Sequence, residues 1–343
     1  MEPLRVATFN TELGRDGPGL LLRDTLRGDD AQINAAARVI AEVAADIIVL
    51  QGIDYDFENL ALNAFADVIA RAGQSYPYRF ALRPNRGMPS GLDLDGDGLT
   101  GGAGDAQGFG PFSGAGGMAI LSRLPIQTDA VSDFSDLLWR DLPGALLPQL
   151  NGLPYPSAAA QAVQRLSTSG HWAVPVSLPE GRDLTLLTFH ASPPVFDGPE
   201  DLNGRRNHDE IMFWRHFLDG AFGAAPSDRF VLLGDANLDP IDGDGRPGAI
   251  LALLGDPRLQ DPMPRANGGV AVANADHSGD PALDTADWDE PSPGNLRVDY
   301  VLPSADWQVA ASGVYWPTSQ DPAAADVEAA SRHRVVWVDL VAN

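Results

Sequence analysis

Phe230-Val231-Leu232-Leu233-Gly234-Asp235-Ala236-Asn237 is an apolar run that stops on a carboxylate and an amide. Its length and composition predict a buried strand, Phe230 to Gly234, ending in Asp235. Side chains alternate faces along a strand, so Asp235 and Asn237 share a face while the chain stays extended. Working outward, the design recurs. Asp183 to His190 is a strand with Leu184, Leu186, Leu187 and Phe189, and it finishes on His190. Arg5 to Asn10 is a buried strand that runs on into Thr11 and Glu12, which puts Asn10 and Glu12 on one face. Arg297 to Leu302 places Asp299 inside a β-rich run, and Ser331-Arg332-His333-Arg334 leads into a last strand, Val335 to Leu340. Strands at Ile47 to Gln51 and Gly117 to Arg123 are interleaved with helical spacing over Ala31 to Ala45, Phe57 to Ala72 and Arg206 to Leu218. That alternation predicts an α/β fold with interior strands.

Taken singly, a strand-end Asn or Asp is a turn former, and a lone His is a surface or packed residue. Asp299 differs, because a carboxylate between apolar neighbours needs a partner. His333 would serve. Such a pair orients the imidazole and raises its basicity, as a general base requires. At a strand entrance the imidazole itself would contribute little packing.

Residues 83–116 are rich in Gly, Asp and Pro without an apolar period and read as a long functional loop. Residues 130–170 form a second, irregular insertion. No repeat or linker divides the chain, so one domain over 1–343 carrying both insertions is expected. Asp93-Leu94-Asp95-Gly96-Asp97-Gly98 matches the start of a calcium loop. Its twelfth position is Gly104, Asp105 comes one residue late, and the flanks are not helical. Two readings stand: Ca²⁺ held within 93–105 by Asp93, Asp95 and Asp97, or an acidic turn without an ion. Asp239, Asp242 and Asp244 form a second acidic cluster after Asn237, placed to bind an ion or to line a site's rim.

The 343 residues carry 47 acidic and 23 basic side chains, a formal charge of -24. A surface that grips long nucleic acid is usually basic, so a small substrate is expected instead. All 23 basic residues are Arg. Without Lys there is no Schiff base and no phosphate-loop lysine. Without Cys there is no disulfide, no thiolate nucleophile and no Cys-based metal site. No apolar run approaches the length of a membrane span. The given chain lacks the pattern of a signal peptide. A trimmed mature form would point to a periplasmic or secreted protein, which calcium loops suit; otherwise a cytoplasmic one is expected. A monomer is expected.

In order along the chain, Phe9-Asn10, Asp46-Ile47-Ile48-Val49-Leu50-Gln51, Met118-Ala119-Ile120-Leu121-Ser122-Arg123, Thr188-Phe189-His190, Gly234-Asp235-Ala236-Asn237, Arg297-Val298-Asp299-Tyr300 and Ser331-Arg332-His333 resemble the endonuclease/exonuclease/phosphatase superfamily, the deoxyribonuclease I-like fold. The resemblance runs from Arg5 to Leu340. It implies a four-layered α/β/β/α sandwich of two packed, mostly antiparallel sheets flanked by helices. It implies phosphoester hydrolysis with a divalent ion, Mg²⁺ or Mn²⁺. It implies His333 as general base oriented by Asp299, Asp235 and Asn237 placing the nucleophile and a phosphate oxygen, and His190 across the scissile phosphate. Asn10 would belong to the metal side, and Arg206 would lie at an Arg-rich helix start near the site.

Two positions depart from the family pattern. After Leu50-Gln51 the family supplies a Glu as principal metal ligand; here the residue is Gly52. Before the last His the family has an Asp; here it is Arg332, which repels a dication. Asp54 points to the same strand face as Gly52, ~7 Å further on, and is the first replacement ligand, with Asp56 and Glu12 as others. Arg332 either binds a phosphate oxygen through its fork of donors or pairs with a surface acid. The expected function is a metal-dependent phosphoesterase acting on a phosphodiester or phosphomonoester by in-line attack of water. A nuclease and a noncatalytic binding protein on the same fold are the alternatives.

Overall fold

Apolar runs buried on both faces need cover on both sides. The computed structural model, which describes residues 3–179, 181–290 and 292–342, provides it with two stacked sheets and helices outside them. The strands are β1 (Leu4–Asn10), β2 (Ile47–Ile53), β3 (Tyr78–Phe80), β4 (Gly117–Ser122), β5 (Ser132–Asp133), β6 (Gln149–Leu150), β7 (Leu153–Pro154), β8 (His171–Ser177), β9 (Asp183–His190), β10 (Phe230–Asp235), β11 (Ala286–Asp287), β12 (Asn295–Leu296), β13 (Asp299–Pro303), β14 (Trp307–Tyr315) and β15 (Val335–Ala342). The helices are α1 (Leu20–Arg27), α2 (Ala31–Val43), α3 (Leu60–Ala72), α4 (Ala158–Gln161), α5 (Leu202–Leu218), α6 (Gly248–Leu254), α7 (Asn267–Ala271) and α8 (Ala324–Ala330).

One sheet runs β14-β15-β1-β2-β4-β3 and the other β13-β10-β9-β8-β5. Each holds one parallel pair, β1 with β2 and β9 with β10, among antiparallel neighbours. Strand alternation sorts the core into three layers. Val6, Ile47, Val49, Val231, Leu233 and Val301 meet between the sheets. Ala7, Phe9, Ile48 and Leu50 pack against residues of α2 and α3, and Phe230, Leu232, Tyr300 and Leu302 against those of α5 and α6. This is the expected α/β/β/α sandwich.

The inward parity carries a functional consequence. Continuing from Val6 it reaches Thr8 and Asn10; from Ile47 and Val49, Gln51; from Leu184 and Leu186, Thr188 and His190; from Val231 and Leu233, Asp235. Asp299 opens the inward row of β13. The apolar layer therefore ends, on one side, in polar residues that are nearly or wholly buried.

Several elements differ from the sequence reading. β14 has outward residues such as Gln308, Ala310 and Ala311 and no apolar run, because it is the edge of its sheet. β8 contains Pro175, which argues against an interior strand. Its pairing with β5 covers only Trp172 and Ala173, so the proline lies beyond it. The helix predicted from Phe57 begins at Leu60, after Glu58 and Asn59 in left-handed conformations. Asp56 caps it, accepting from the amides of Leu60 (2.6 Å) and Ala61 (2.7 Å), and is spent there rather than at a metal.

Candidate active site

Register assembles the site. Asp235 on β10 lies opposite His190 on β9 and opposite Asp299 on β13. Gly234 permits the close approach: a Cβ there would run into Phe189 O. Asn10 ends β1 across the sandwich and donates to Asp235 Oδ2 at 2.8 Å. His333, just before β15, completes the group with Nδ1 2.9 Å from Asp299 Oδ2 and 3.9 Å from Asp235 Oδ2. His190 Nε2 lies 3.4 Å from the same Asp235 oxygen. Asn237 donates its backbone N–H to Asp235 Oδ1 (2.8 Å) and its side chain to Ala191 O (2.9 Å).

The electrostatics follow from this crowding. Burial pulls the His333 imidazole down, but the charges of Asp299 and Asp235 outweigh it and hold it at about 9. Burial and the charge of Asp299 push the Asp235 carboxyl up. Burial, with the Arg86 and His333 charges, holds His190 well below its ordinary value, so it is a neutral imidazole.

Three partners escaped the sequence reading. Thr285 donates to Asp299 Oδ2 at 3.0 Å and accepts from the amides of Val298 (2.9 Å) and Asp299 (3.0 Å), which fixes the carboxylate. Trp288 meets the His333 ring edge-on, with centroids 5.2 Å apart. Arg86, from the long loop, lines the cavity above the cluster. Thr285 carries no sequence signal; Arg86 lay in a segment read as a loop and could have been asked for a partner.

That cavity measures about 1020 Å³ and is lined by Asn10, His190, Asn237 and His333 among others. Asp95, Asp197, Asp244 and Asp289 contribute exposed carboxylates to it, and Phe109 (64% exposed) and Phe196 (90% exposed) contribute aromatic rings.

Other expected site residues lie elsewhere in the chemistry. Asp54 does not line the cavity: its oxygens accept from the amides of Arg15 (2.9 Å) and Gly116 (2.8 Å). The kink at Gly52 turns it toward those loops instead of back to Asn10. Arg206 spends its donors on backbone carbonyls of Gln107, Arg165, Leu166 and Ser167, tying both insertions to α5. It holds the cavity wall rather than a substrate. Arg332 pairs with Glu12, through Nε to Oε1 (2.9 Å) and its amide to Oε2 (2.8 Å). Asp93, Asp95 and Asp97 do converge, with ligand atoms within 4.8 Å. They accept from amides of their own turn, Gly96, Asp97, Gly98 and Leu99.

The model of the endonuclease/exonuclease/phosphatase family matches residues 7–333. The chain belongs to this family. Its members are generally hydrolases of phosphoester bonds and often use a divalent metal. An endonuclease/exonuclease/phosphatase protein from Beutenbergia cavernae is similar in structure at 20% identity and a TM-score of 0.58, over 100% of this chain and 72% of that one. Sphingomyelinase C from Streptomyces griseocarneus aligns at 20% identity and 0.52, over 100% of both chains. A mannosyl-6-phosphatase from Bacteroides thetaiotaomicron aligns at 15% and 0.51, over 98% and 99%. These identities establish the shared fold. No curated protein matches the sequence.

The family's metal can be tested against the residues present. Asp235, Asp299 and His333 form a buried group of suitable donors, and Asp299 Oδ1 has no partner among the described residues. Yet Asp235 and Asp299 are fully buried and do not line the cavity, and an ion there would displace the hydrogen bond that orients His333. At the Gly52 end, Asn10 Oδ1 accepts from Glu12 N (3.2 Å), and a guanidinium occupies Glu12. The residues do not fit a resident divalent ion at the family's position.

Proposed function

We propose that this protein hydrolyses a small phosphoester in the cavity, with His333 as general base. The observation that carries the reading is the Asp299–His333 pair at the cavity floor. Asp299 takes Nδ1, so Nε2 is left for water. Asn10 Nδ2 lies 3.4 Å from Nε2, a long contact that an incoming water would replace when that nitrogen is unprotonated. Water would lose a proton to Nε2 as its oxygen bonds to phosphorus. The opposite P–O bond breaks, and the leaving oxygen takes a proton from solvent. Asn237, whose amide donates to Ala191 O and Asp235 Oδ2, would hold Asp235 in place rather than a phosphate oxygen, and neutral His190 would donate a hydrogen bond rather than a proton. The Mg²⁺ or Mn²⁺ expected from the sequence has no step here, because Asn10, Glu12 and Asp54 are otherwise engaged.

The exposed carboxylates at the rim disfavour a polyanion, which supports a small ester over DNA or RNA. The altered ligand set favours one second reading, a cavity that binds a phosphoryl group without cleaving it. Purified protein assayed on bis-para-nitrophenyl phosphate, para-nitrophenyl phosphate and plasmid DNA, each with Mg²⁺, Mn²⁺, Ca²⁺ or chelator, separates them. Turnover of a small ester is expected; inertness toward all three selects the binder, and plasmid cleavage the nuclease.

Protonation sets the pH profile. A base held at about 9 is mostly imidazolium at neutral pH and cannot accept a proton. kcat/KM is expected to climb roughly tenfold per pH unit below that value and level above it. Asp299→Asn removes the main charge that raises it, so the limb should move to lower pH. A flat profile from pH 6 to 9 would take His333 out of the base role.

Calcium in the 93–105 loop remains part of this reading. Protein loaded with Ca²⁺ is expected to melt at a lower temperature once chelator is added, with the loop becoming protease-sensitive. Equal melting would assign Asp93, Asp95 and Asp97 to turn-making alone.

A further inference from the structure

Gly52 is not an empty place waiting for a ligand. Its φ is +69°, and a Cβ would run into Asn10 Oδ1 and lie 2.9 Å from Glu12 N. The chain at Glu12, itself left-handed at φ +49°, occupies that space. It brings a carboxylate that holds Arg332, further fixed by Ser331 Oγ at 3.1 Å from Oε2. Two carboxylates with a dication, the family's arrangement, and one carboxylate with one guanidinium have the same net charge. The exchange is therefore neutral, and it leaves N–H donors where an ion's ligand sphere would be.

A second guanidinium faces the same cavity. Among the described residues no carboxylate, carbonyl or hydroxyl accepts from Arg86, and its Nε is buried without a partner. Among the other arginines that reach the interior, Arg206, Arg297 and Arg334 are bound to carbonyls or carboxylates. The backbone of Arg86 is fixed by pairing with Gly108, and Gly114 donates to its carbonyl at 3.3 Å. In a chain with 47 acidic residues, an unpaired inward guanidinium is conspicuous. A desolvated cation without a partner is costly, so it is expected to be kept for a ligand.

We propose that this cavity binds its phosphoryl group with arginines in place of a divalent ion, Arg86 from the wall and the more exposed Arg332 from beside Glu12. The identity of the anion rests on the phosphoesterase reading; the use of arginine rather than metal does not. Guanidinium forks match phosphate oxygens bidentately; Arg86 offers its whole fork, and Arg332 the donors that Glu12 leaves over. With Arg86 turned inward and carboxylates at the rim, the ligand carries one phosphoryl group and no further negative charge toward the mouth.

The test is calorimetric titration of inorganic phosphate into the full chain stripped with chelator, repeated with Mg²⁺. Arg86→Ala, Arg86→Gln and Arg332→Ala are compared with the unaltered protein, with melting temperatures as the folding control. Phosphate is expected to bind in chelator, ~10–100-fold more weakly in each Arg variant, with no gain from Mg²⁺. Arg86→Ala should melt no lower than the parent, since it removes an unpaired cation. Phosphate binding that requires Mg²⁺, absence of binding in chelator, or unchanged affinity in both Arg86 variants overturns the proposal. Should Arg332→Ala fail to fold, the Arg86 pair and the Mg²⁺ comparison decide alone. Arginine-dependent phosphate binding without turnover of any ester would sink the phosphoesterase reading and leave the arginine site standing.

Discussion

His333→Ala is expected to lower kcat/KM on the hydrolysed ester by ~10²–10⁴-fold, the usual worth of a positioned base. It should also lower stability. The sequence placed this imidazole at a strand entrance, where little packing depends on it. The structure buries it against Asp299 at 2.9 Å and near the buried Asp235, so truncation leaves two interior carboxylates without their cation. Breaking a buried pair from one side costs ~3–5 kcal/mol, reduced here to the extent that Asp235, whose carboxyl is pushed up by burial, takes up a proton. His333→Gln separates the two effects. Its amide can still donate to Asp299 but brings no charge, so part of the stability should return while the activity does not, because an amide is no base at neutral pH. Kinetics beside urea melts of both variants provide the check. Activity in His333→Gln near the parent level would remove this residue from proton transfer.

Gly52→Glu is the second large effect, and its sign is opposite to what the family pattern suggests. On pattern alone it would rebuild a metal ligand. At φ +69°, with Asn10 Oδ1 and Glu12 N in the way of a Cβ, it should instead destabilise the fold by ~2–5 kcal/mol. Displacing Glu12 would also free Arg332, so phosphate affinity and activity should both fall, with or without Mg²⁺. A variant that melts like the parent and gains a Mg²⁺ requirement would mean that the loop at Glu12 gives way easily and that a metal site of the family's kind is accessible.

Legibility differs sharply between residues of one strand. Phe230 to Leu233 and Leu184 to Phe189 announced themselves because strands buried on both faces must be apolar throughout, a property carried by each residue alone. The same local rule exposed Asp235, His190 and Asp299 as polar ends or interruptions of such runs, and Asp299 with His333 as a pair by its need for a counter-charge. Parity within a strand put Asn10 with Glu12 and Asp235 with Asn237; the juxtaposition of Asp235 with His190 and Asp299 came from the register between strands. Asp54 fails the same rule two residues past Gly52, because a left-handed glycine breaks the alternation on which parity depends.

What only the tertiary structure decided is who occupies each partner's place. Asn10 reaches Asp235 across 225 residues of chain, and Glu12 reaches Arg332 across 320. Periodicity reports whether a residue is buried, but carries no record of contacts at such separations. Arg206 and Arg86 illustrate the consequence: the first, on a helix start, is consumed by carbonyls of two insertions, while the second, in a glycine-rich loop, lines the cavity with no acceptor among the described residues. Composition made every cation of this chain an arginine; only the packing of the loops determined which of them has a charge to spare for a ligand.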